Sequence, residues 1–351
     1  MEALPDQMQI ARLAAGGCFS RALATAARLG IADLMDGGAL SHHVLAERTG
    51  SDPDVLLRLL QVLALGGVVE HDGNGAFAMT EAFAALRSDH PRSLRNFCIL
   101  TAETYDDAFG ALPHTVRTGE SGFRQVFGVP LYEYLEADPE AGRIFDGAMS
   151  ELARPVVAAL VRRHDFSSVN TVVDVGGGDG TTLAGILAAH EHLRGVCVDR
   201  PGVCARAGEA LRASAGPRIG ERVTFHPADI FEEVPAGGDR YLLKNVLHDW
   251  PPERCERVLA SIGRAMRRTA EAREPGLAPP RLLVLEPLPD QESDAAHVLF
   301  RMVMCGKDAG GFGEGDLRGL LQRSGFVPVR VERLAGGHHV FECVPDGAGQ
   351  G

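Results

Sequence analysis

Val172-Val-Asp-Val-Gly-Gly-Gly-Asp-Gly180 decides the fold class of this chain. A short β-branched apolar run ends in an acid and a cluster of glycines. It then feeds Thr181-Thr-Leu-Ala-Gly-Ile-Leu-Ala-Ala189, which reads as a helix. A buried strand that ends in glycines at a helix N-terminus is where α/β sheets hold nucleotide-like ligands. Glycine has no Cβ, so the backbone can approach such a ligand closely. A second strand-like run, Gly195-Val-Cys-Val198, ends in Asp199. An acid at that strand tip is placed to accept hydrogen bonds from a ribose diol.

The pattern continues outward from this unit. Further strand candidates are 222–226, 239–244, 281–286, 326–333 and 338–344, after 171–175 and 195–199, with helical stretches between most of them. Alternation of this kind predicts a largely parallel, doubly wound sheet. Only Leu334-Ala-Gly-Gly337 separates the last two candidates, so the final strand should run antiparallel in a hairpin. Upstream, 9–35 carries one periodic apolar face and reads as a helix. Ser41 to Gly50 and Ser51 to Gly66 read as two capped helices, and a hairpin turns at Asp72-Gly73-Asn74-Gly75. Helix, turn, helix and hairpin make a winged-helix pattern, and residues 90–165 look all-helical. The expected organisation is 1–90 as a winged-helix-like dimerisation domain, 91–165 as a helical linker and substrate lid, and 166–351 as the sheet domain.

Composition excludes several function classes. The net charge of -12 opposes a nucleic-acid backbone as main partner. The second helix of the winged pattern carries Arg58 as its only cation, beside Asp52 and Asp54, which is poor equipment for a recognition helix. No apolar run is long enough to span a bilayer, and the start lacks the basic end and apolar core of a signal peptide. The 7 cysteines show no CxxC pair or zinc spacing, which reads as reduced thiols in a cytoplasmic protein. His190, His192, His338 and His339 lack a partner pattern and read as surface or turn residues, so no metal is expected.

Asp174-Val-Gly-Gly-Gly-Asp-Gly180, Asp199-Arg-Pro-Gly-Val203, Asp229-Ile-Phe231, Leu243-Lys-Asn-Val-Leu-His-Asp-Trp250 and Leu285-Glu-Pro287 together resemble a known family. They are similar to the class I S-adenosylmethionine-dependent O-methyltransferases of the plant caffeate and bacterial polyketide-tailoring type. Phe127 to Met149 resembles that family's segment between the dimer domain and the sheet. The resemblance covers nearly the whole chain. It implies a homodimer built through the N-terminal domain and a Rossmann-like domain that binds S-adenosylmethionine.

The resemblance assigns roles residue by residue. Asp174, Gly176, Gly178 and Gly180 would hold the methionine end, Asp199 the ribose and Asp229 the adenine amino group. Ile230 and Phe231 would pack on the purine, Lys244 would meet the carboxylate and Trp250 would cover the ring. His248, at the carboxyl end of the strand Tyr241-Leu-Leu243, would be the general base, and Glu286, at the end of Leu282-Leu-Val-Leu285, would fix its tautomer. On residue type alone His248 reads equally as a structural or helix-capping histidine. Phe145, Met149, Phe300 and Met304, with Phe97 and Tyr105, would wall a small aromatic acceptor.

One stretch departs from the family pattern. Gly311 stands where the family has a second glutamate, and Asp308 or Glu314 could replace it only if the loop shifts. The resulting expectation is methyl transfer to a phenolic hydroxyl of a polyketide-like natural product. A non-methylating use of S-adenosylmethionine (decarboxylation, hydroxylation or cyclisation) and a winged-helix DNA-binding regulator are the alternatives. A nicotinamide dehydrogenase is disfavoured by Asp174 ahead of the glycines and by the terminal hairpin.

Overall fold

In the computed structural model, residues 6–73, 75–274, 277–288, 295–308, 313–334 and 337–347 are described. The chain forms two compact units, one of residues 1–110 and 132–152, the other of 111–131 and 153–351. The helical stretch 91–165 is therefore divided between them.

In the first unit, the expected single helix over 9–35 is replaced by three: Asp6–Ala14, Gly16–Arg28 and Ile31–Leu34. Gly30 adopts φ 65, a left-handed conformation that ends one helix and starts the next at a new angle. The upstream break falls at Ala15, ahead of the weak helix formers Gly16 and Gly17. The two capped helices are His42–Thr49 and Pro53–Leu65. Ser41 Oγ accepts the Val44 N–H, and Asp52 Oδ1 accepts the N–H groups of Asp54 and Val55, both at 3.0 Å. Three antiparallel strands, β1 (Leu40–Ser41), β2 (Val69–His71) and β3 (Ala76–Met79), form a small sheet in the order β1-β3-β2. The wing thus has a third, two-residue strand that the sequence pattern does not announce. Asn74, in the expected hairpin turn, lies outside the described residues.

The second unit is a seven-stranded sheet. Its strands are β4 (Thr171–Val175), β5 (Arg194–Asp199), β6 (Val223–Pro227), β7 (Arg240–Lys244), β8 (Arg281–Pro287), β9 (Phe326–Arg333) and β10 (His338–Pro345). Their order is β6-β5-β4-β7-β8-β10-β9. The first five are parallel, and β10 runs antiparallel to both β8 and β9. The period-2 pattern of the strands divides their side chains between two cores. Val173, Val175, Tyr241, Leu243 and Val284 pack on one face, while Val172, Leu242, Leu283 and Leu285 pack on the other.

The chain leaves β4 toward β5 and β6, then returns to β4's other side with β7 and β8. The carboxyl ends of β4 and β7 are therefore a topological switch point, the place where open α/β sheets generally bind ligands. Among the described residues, no helix is long and apolar enough to cross a membrane. All 7 cysteines are free, and Cys197, Cys204, Cys255 and Cys343 are buried.

Candidate active site

The turn after β4 is held by its backbone and by the tip of β5. Gly176, Gly178 and Gly180 take φ 73, 60 and 82, a region open to glycine and strained for other residues. The Gly176 N–H donates to Val198 O at 2.8 Å, and the Gly178 N–H donates to Asp199 Oδ2 at 2.9 Å. The other Asp199 oxygen accepts the Arg200 N–H at 2.8 Å. The carboxylate at the end of β5, the acid expected at the ribose, thus fixes the glycine turn. Gly177 is a requirement the sequence reading missed. A Cβ there would lie 2.7 Å from Cys197 Sγ and 3.0 Å from the Asp174 carboxyl. Asp179 Oδ1 accepts the N–H of Thr181, the first residue of the helix Thr181–Ala189, at 3.0 Å.

Asp174 is 1% exposed, and its Oδ2 is buried without a hydrogen-bond partner. Burial pushes its pKa up to about 7, against the opposing charge of Lys244 and with help from Asp199 and Asp179. Lys244, half-buried at the end of β7, has its pKa lowered by burial, opposed by Asp174, Glu286 and Asp179. A buried carboxyl oxygen lacking a donor, a lysine whose charge acts on it and a glycine cradle suit a zwitterionic amino-acid end.

Of the residues expected at the purine, Asp229, Ile230 and Phe231 follow β6, and Trp250 follows β7. Asp229 is exposed and caps its own turn through the Phe231 N–H at 3.0 Å. Phe231 and Trp250 meet edge to face at 5.0 Å. The Arg254 guanidinium lies over both rings, 4.1 and 4.4 Å from their centroids. Arg254 stiffens this corner through cation–π contact, and the sequence reading did not single it out.

The carboxyl ends of β7 and β8 bring His248 and Glu286 together across 38 positions of sequence. The turn between β7 and His248 passes through Asn245, the only non-glycine residue with positive φ among the described residues. Asn245 Oδ1 meets His338 Nε2 at 2.8 Å, which explains how an asparagine is held in this conformation. His338 is therefore a half-buried strand residue, correcting its expected place on the surface or in a turn. Past Asn245, the N–H groups of Val246 and Leu247 donate to Glu286 Oε1 at 3.0 and 2.8 Å. The second oxygen, Oε2, lies 2.5 Å from His248 Nδ1.

Both side chains are buried, His248 at 6% and Glu286 at 1% exposure. His248 Nε2 lies 3.3 Å from Asp249 Oδ1. Burial disfavours a charged imidazole, but Asp249 and then Glu286 outweigh it and raise the pKa of His248. Burial would likewise raise Glu286, but His248 and the two backbone N–H groups hold it below its ordinary value. Asp249 adjoins His248 inside the same motif. It was legible there as a second carboxylate, although only its atomic position shows that it faces the other ring nitrogen.

The expected acceptor wall is distributed between the two units. Phe145 and Met149, on the helix Pro139–Arg163, belong to the first, and so do Phe97, on the helix Arg95–Leu100, and the buried Tyr105. Phe300 and Met304 lie on the helix Ala295–Cys305 of the second. Glu314 is exposed at the start of the helix Glu314–Arg323 and pairs with Arg318 at 3.1 Å. Asp308 ends the short turn Gly306–Asp308, and Gly311 lies outside the described residues. Among the described residues no cluster of His, Cys, Asp or Glu is placed to hold a metal ion.

The chain is similar to known proteins along nearly its whole length. Residues 109–326 match an O-methyltransferase domain, and residues 11–86 match an O-methyltransferase dimerisation domain. The chain is 38% identical over 340 residues to O-demethylpuromycin-O-methyltransferase of Streptomyces alboniger, covering 94% of this chain and 86% of the relative. The crystal structure of LaPhzM superposes with a TM-score of 0.88 at 33% identity, over 97% of this chain and 100% of that one. The structure of NcsB1, an O-methyltransferase from neocarzinostatin biosynthesis in complex with S-adenosylmethionine and 2-hydroxy-5-methyl naphthoic acid, superposes with a TM-score of 0.73 at 26% identity, over 93% and 96% of the two chains. The chain belongs to the O-methyltransferase family in which a dimerisation domain precedes the catalytic one.

Proposed function

We propose that this enzyme transfers a methyl group from S-adenosylmethionine to a phenolic hydroxyl of an aromatic, polyketide-like natural product. The cofactor class follows the family, and the NcsB1 complex holds S-adenosylmethionine. The glycine cradle after β4, the unpaired Asp174 oxygen and Lys244 suit its amino-acid end, Asp199 its ribose, and Phe231 with Trp250 its purine. The cofactor supplies an activated methyl on a sulfonium, so the protein's tasks are to align the acceptor and to remove its proton.

The observation that carries the reading is the His248 to Glu286 contact of 2.5 Å. Glu286 is itself locked by two backbone N–H groups. It accepts a hydrogen bond from Nδ1–H and so leaves the Nε2 lone pair as the basic site. Proton removal from a phenol, with a pKa near 10, is then assisted by typically ~10²–10⁴-fold. Asp249, beside Nε2, favours the imidazolium once the proton has arrived.

His248→Ala tests this. Methyl transfer, followed by product mass with the enzyme's own acceptor, should fall by ~10²–10⁴-fold. Binding of S-adenosylhomocysteine by calorimetry should stay within about twofold. Equal losses in both would make His248 a structural residue. Gly311, in place of the family's second glutamate, favours one further reading, a non-methylating reaction at the same site. A product that lacks the added methyl mass would select it.

A further inference from the structure

The helix Ala295–Cys305 carries one charged side chain for which methyl transfer as described has no use. Arg301 is 9% exposed, and its Nε is buried without a hydrogen-bond partner among the described residues. A guanidinium presents a planar fork of five N–H donors and keeps its charge at any working pH. Protein interiors seldom leave such a group without an acceptor.

The groups that act on its charge are Asp249, Cys305 and Glu286, and His248 feels the cation in return. None of them is a dedicated counter-ion. Both carboxylates already face His248, at 3.3 and 2.5 Å. The Cys305 thiol, pushed up to about 12 by burial, stays neutral. Arg301 therefore offers an unused buried donor on the helix that also carries Phe300 and Met304, within electrostatic reach of the proposed base.

We propose that Arg301 sets acceptor specificity by binding a carboxylate on the acceptor's aromatic ring, so that this enzyme takes hydroxyaryl carboxylic acids. The proposal rests on the methyl-transfer reading of the same site. A carboxylate matches the guanidinium fork through two parallel N–H···O bonds, and each is strengthened by both charges. It also stays ionised through turnover. The reacting hydroxyl loses any charge once it is methylated and could not serve as the standing partner.

The test uses wild-type protein, Arg301→Gln and Arg301→Lys, each saturated with S-adenosylhomocysteine. Two probes are titrated by calorimetry, 3-hydroxy-2-naphthoate and 2-naphthol. Wild type should bind the naphthoate about tenfold or more tighter than the naphthol. Arg301→Gln should lose that margin while keeping naphthol binding within about threefold of wild type. Arg301→Lys should retain part of the margin. A purely structural arginine would instead change both probes alike in both variants and lower the melting temperature. No margin in wild type, or an undiminished margin in Arg301→Gln, overturns the proposal. Wild-type binding of S-adenosylhomocysteine, measured first, separates the two readings. If it binds and the margin is absent, Arg301 loses this role and methyl transfer stands. If it does not bind, the methyl-transfer reading falls and takes this one with it.

Discussion

Glu286 shows how a single carboxylate can specify a tautomer. Its Oε1 takes two backbone N–H groups and its Oε2 takes His248 Nδ1, so both oxygens act as acceptors. An amide cannot do the same. In Glu286→Gln the one carbonyl oxygen must serve either the backbone or the ring, and the NH₂ must face the other. If the backbone keeps the oxygen, the NH₂ turns Nδ1 into an acceptor and moves the ring proton to Nε2, where it blocks the base. The maximal rate should therefore fall by up to ~10²-fold, part of what a positioned base contributes. The pH profile supplies a second readout. His248 must be neutral to accept a proton, and Asp249 and Glu286 raise its pKa above the ordinary value. The wild-type rate should thus rise with pH through an apparent pKa above 6.5. Removing the Glu286 charge takes away part of that elevation, so the acid limb should shift to lower pH in the variant. A lower rate with an unmoved limb would place His248 outside the titration.

Helices and strands differ in how much of their placement the sequence carries. The strand expected at 171–175 is observed as Thr171–Val175, because a β-branched run bounded by Asn170 and a glycine cluster has little alternative. The helix expected over 9–35 is broken, because its apolar period persists through Gly30, whose left-handed backbone changes direction without changing pattern. The proposed catalytic pair was suggested by the family resemblance, since strand-end position alone leaves His248 equally a structural histidine. Arg301 was not, because one arginine in an apolar helix reads equally as a solvated surface cation, and only packing from distant segments buries it. Glu151 belongs with Arg301 in this respect. The helix Arg95–Leu100 starts at Leu94 with no side-chain cap of its own. Its orphan N–H groups go instead to Glu151, 6% exposed, which accepts from Asn96 N at 3.0 Å, Phe97 N at 2.9 Å and Asn96 Nδ2 at 2.8 Å. Glu151→Ala would leave those donors buried and unmet, at a cost of about 2–3 kcal/mol. Thermal unfolding should show a correspondingly lower midpoint. Binding of S-adenosylhomocysteine by the second unit should be unchanged in protein that remains folded.

At the scale of the whole molecule, the first unit presents a helix that is apolar on both sides. Leu56, Leu60 and Leu63 of Pro53–Leu65 are buried. Val55, Val62 and Leu65, on the other side, are 64%, 44% and 90% exposed. Met8, Ile10 and Leu13 of the helix Asp6–Ala14 are also more than half exposed. A helix hydrophobic all round needs a second cover, and an exposed apolar patch of this kind marks an interaction surface. Nucleic acid is a poor candidate for that cover. The outward side chains are apolar where base and phosphate contacts need polar or basic groups, and the chain carries a net charge of -12. A second copy of the chain is a good one, because residues 11–86 match a dimerisation domain. Wild-type protein should therefore sediment as a dimer at micromolar concentration. The double variant Val55→Asp, Leu65→Asp places four charges in a two-fold interface, where like charges face each other without water. It should sediment as a monomer with an unchanged far-ultraviolet circular dichroism spectrum, since neither side chain contributes to the buried core. A double variant that stays dimeric would move the contact away from this helix face. A double variant that bound duplex DNA less well than a DNA-binding wild type would return the winged pattern to nucleic-acid recognition.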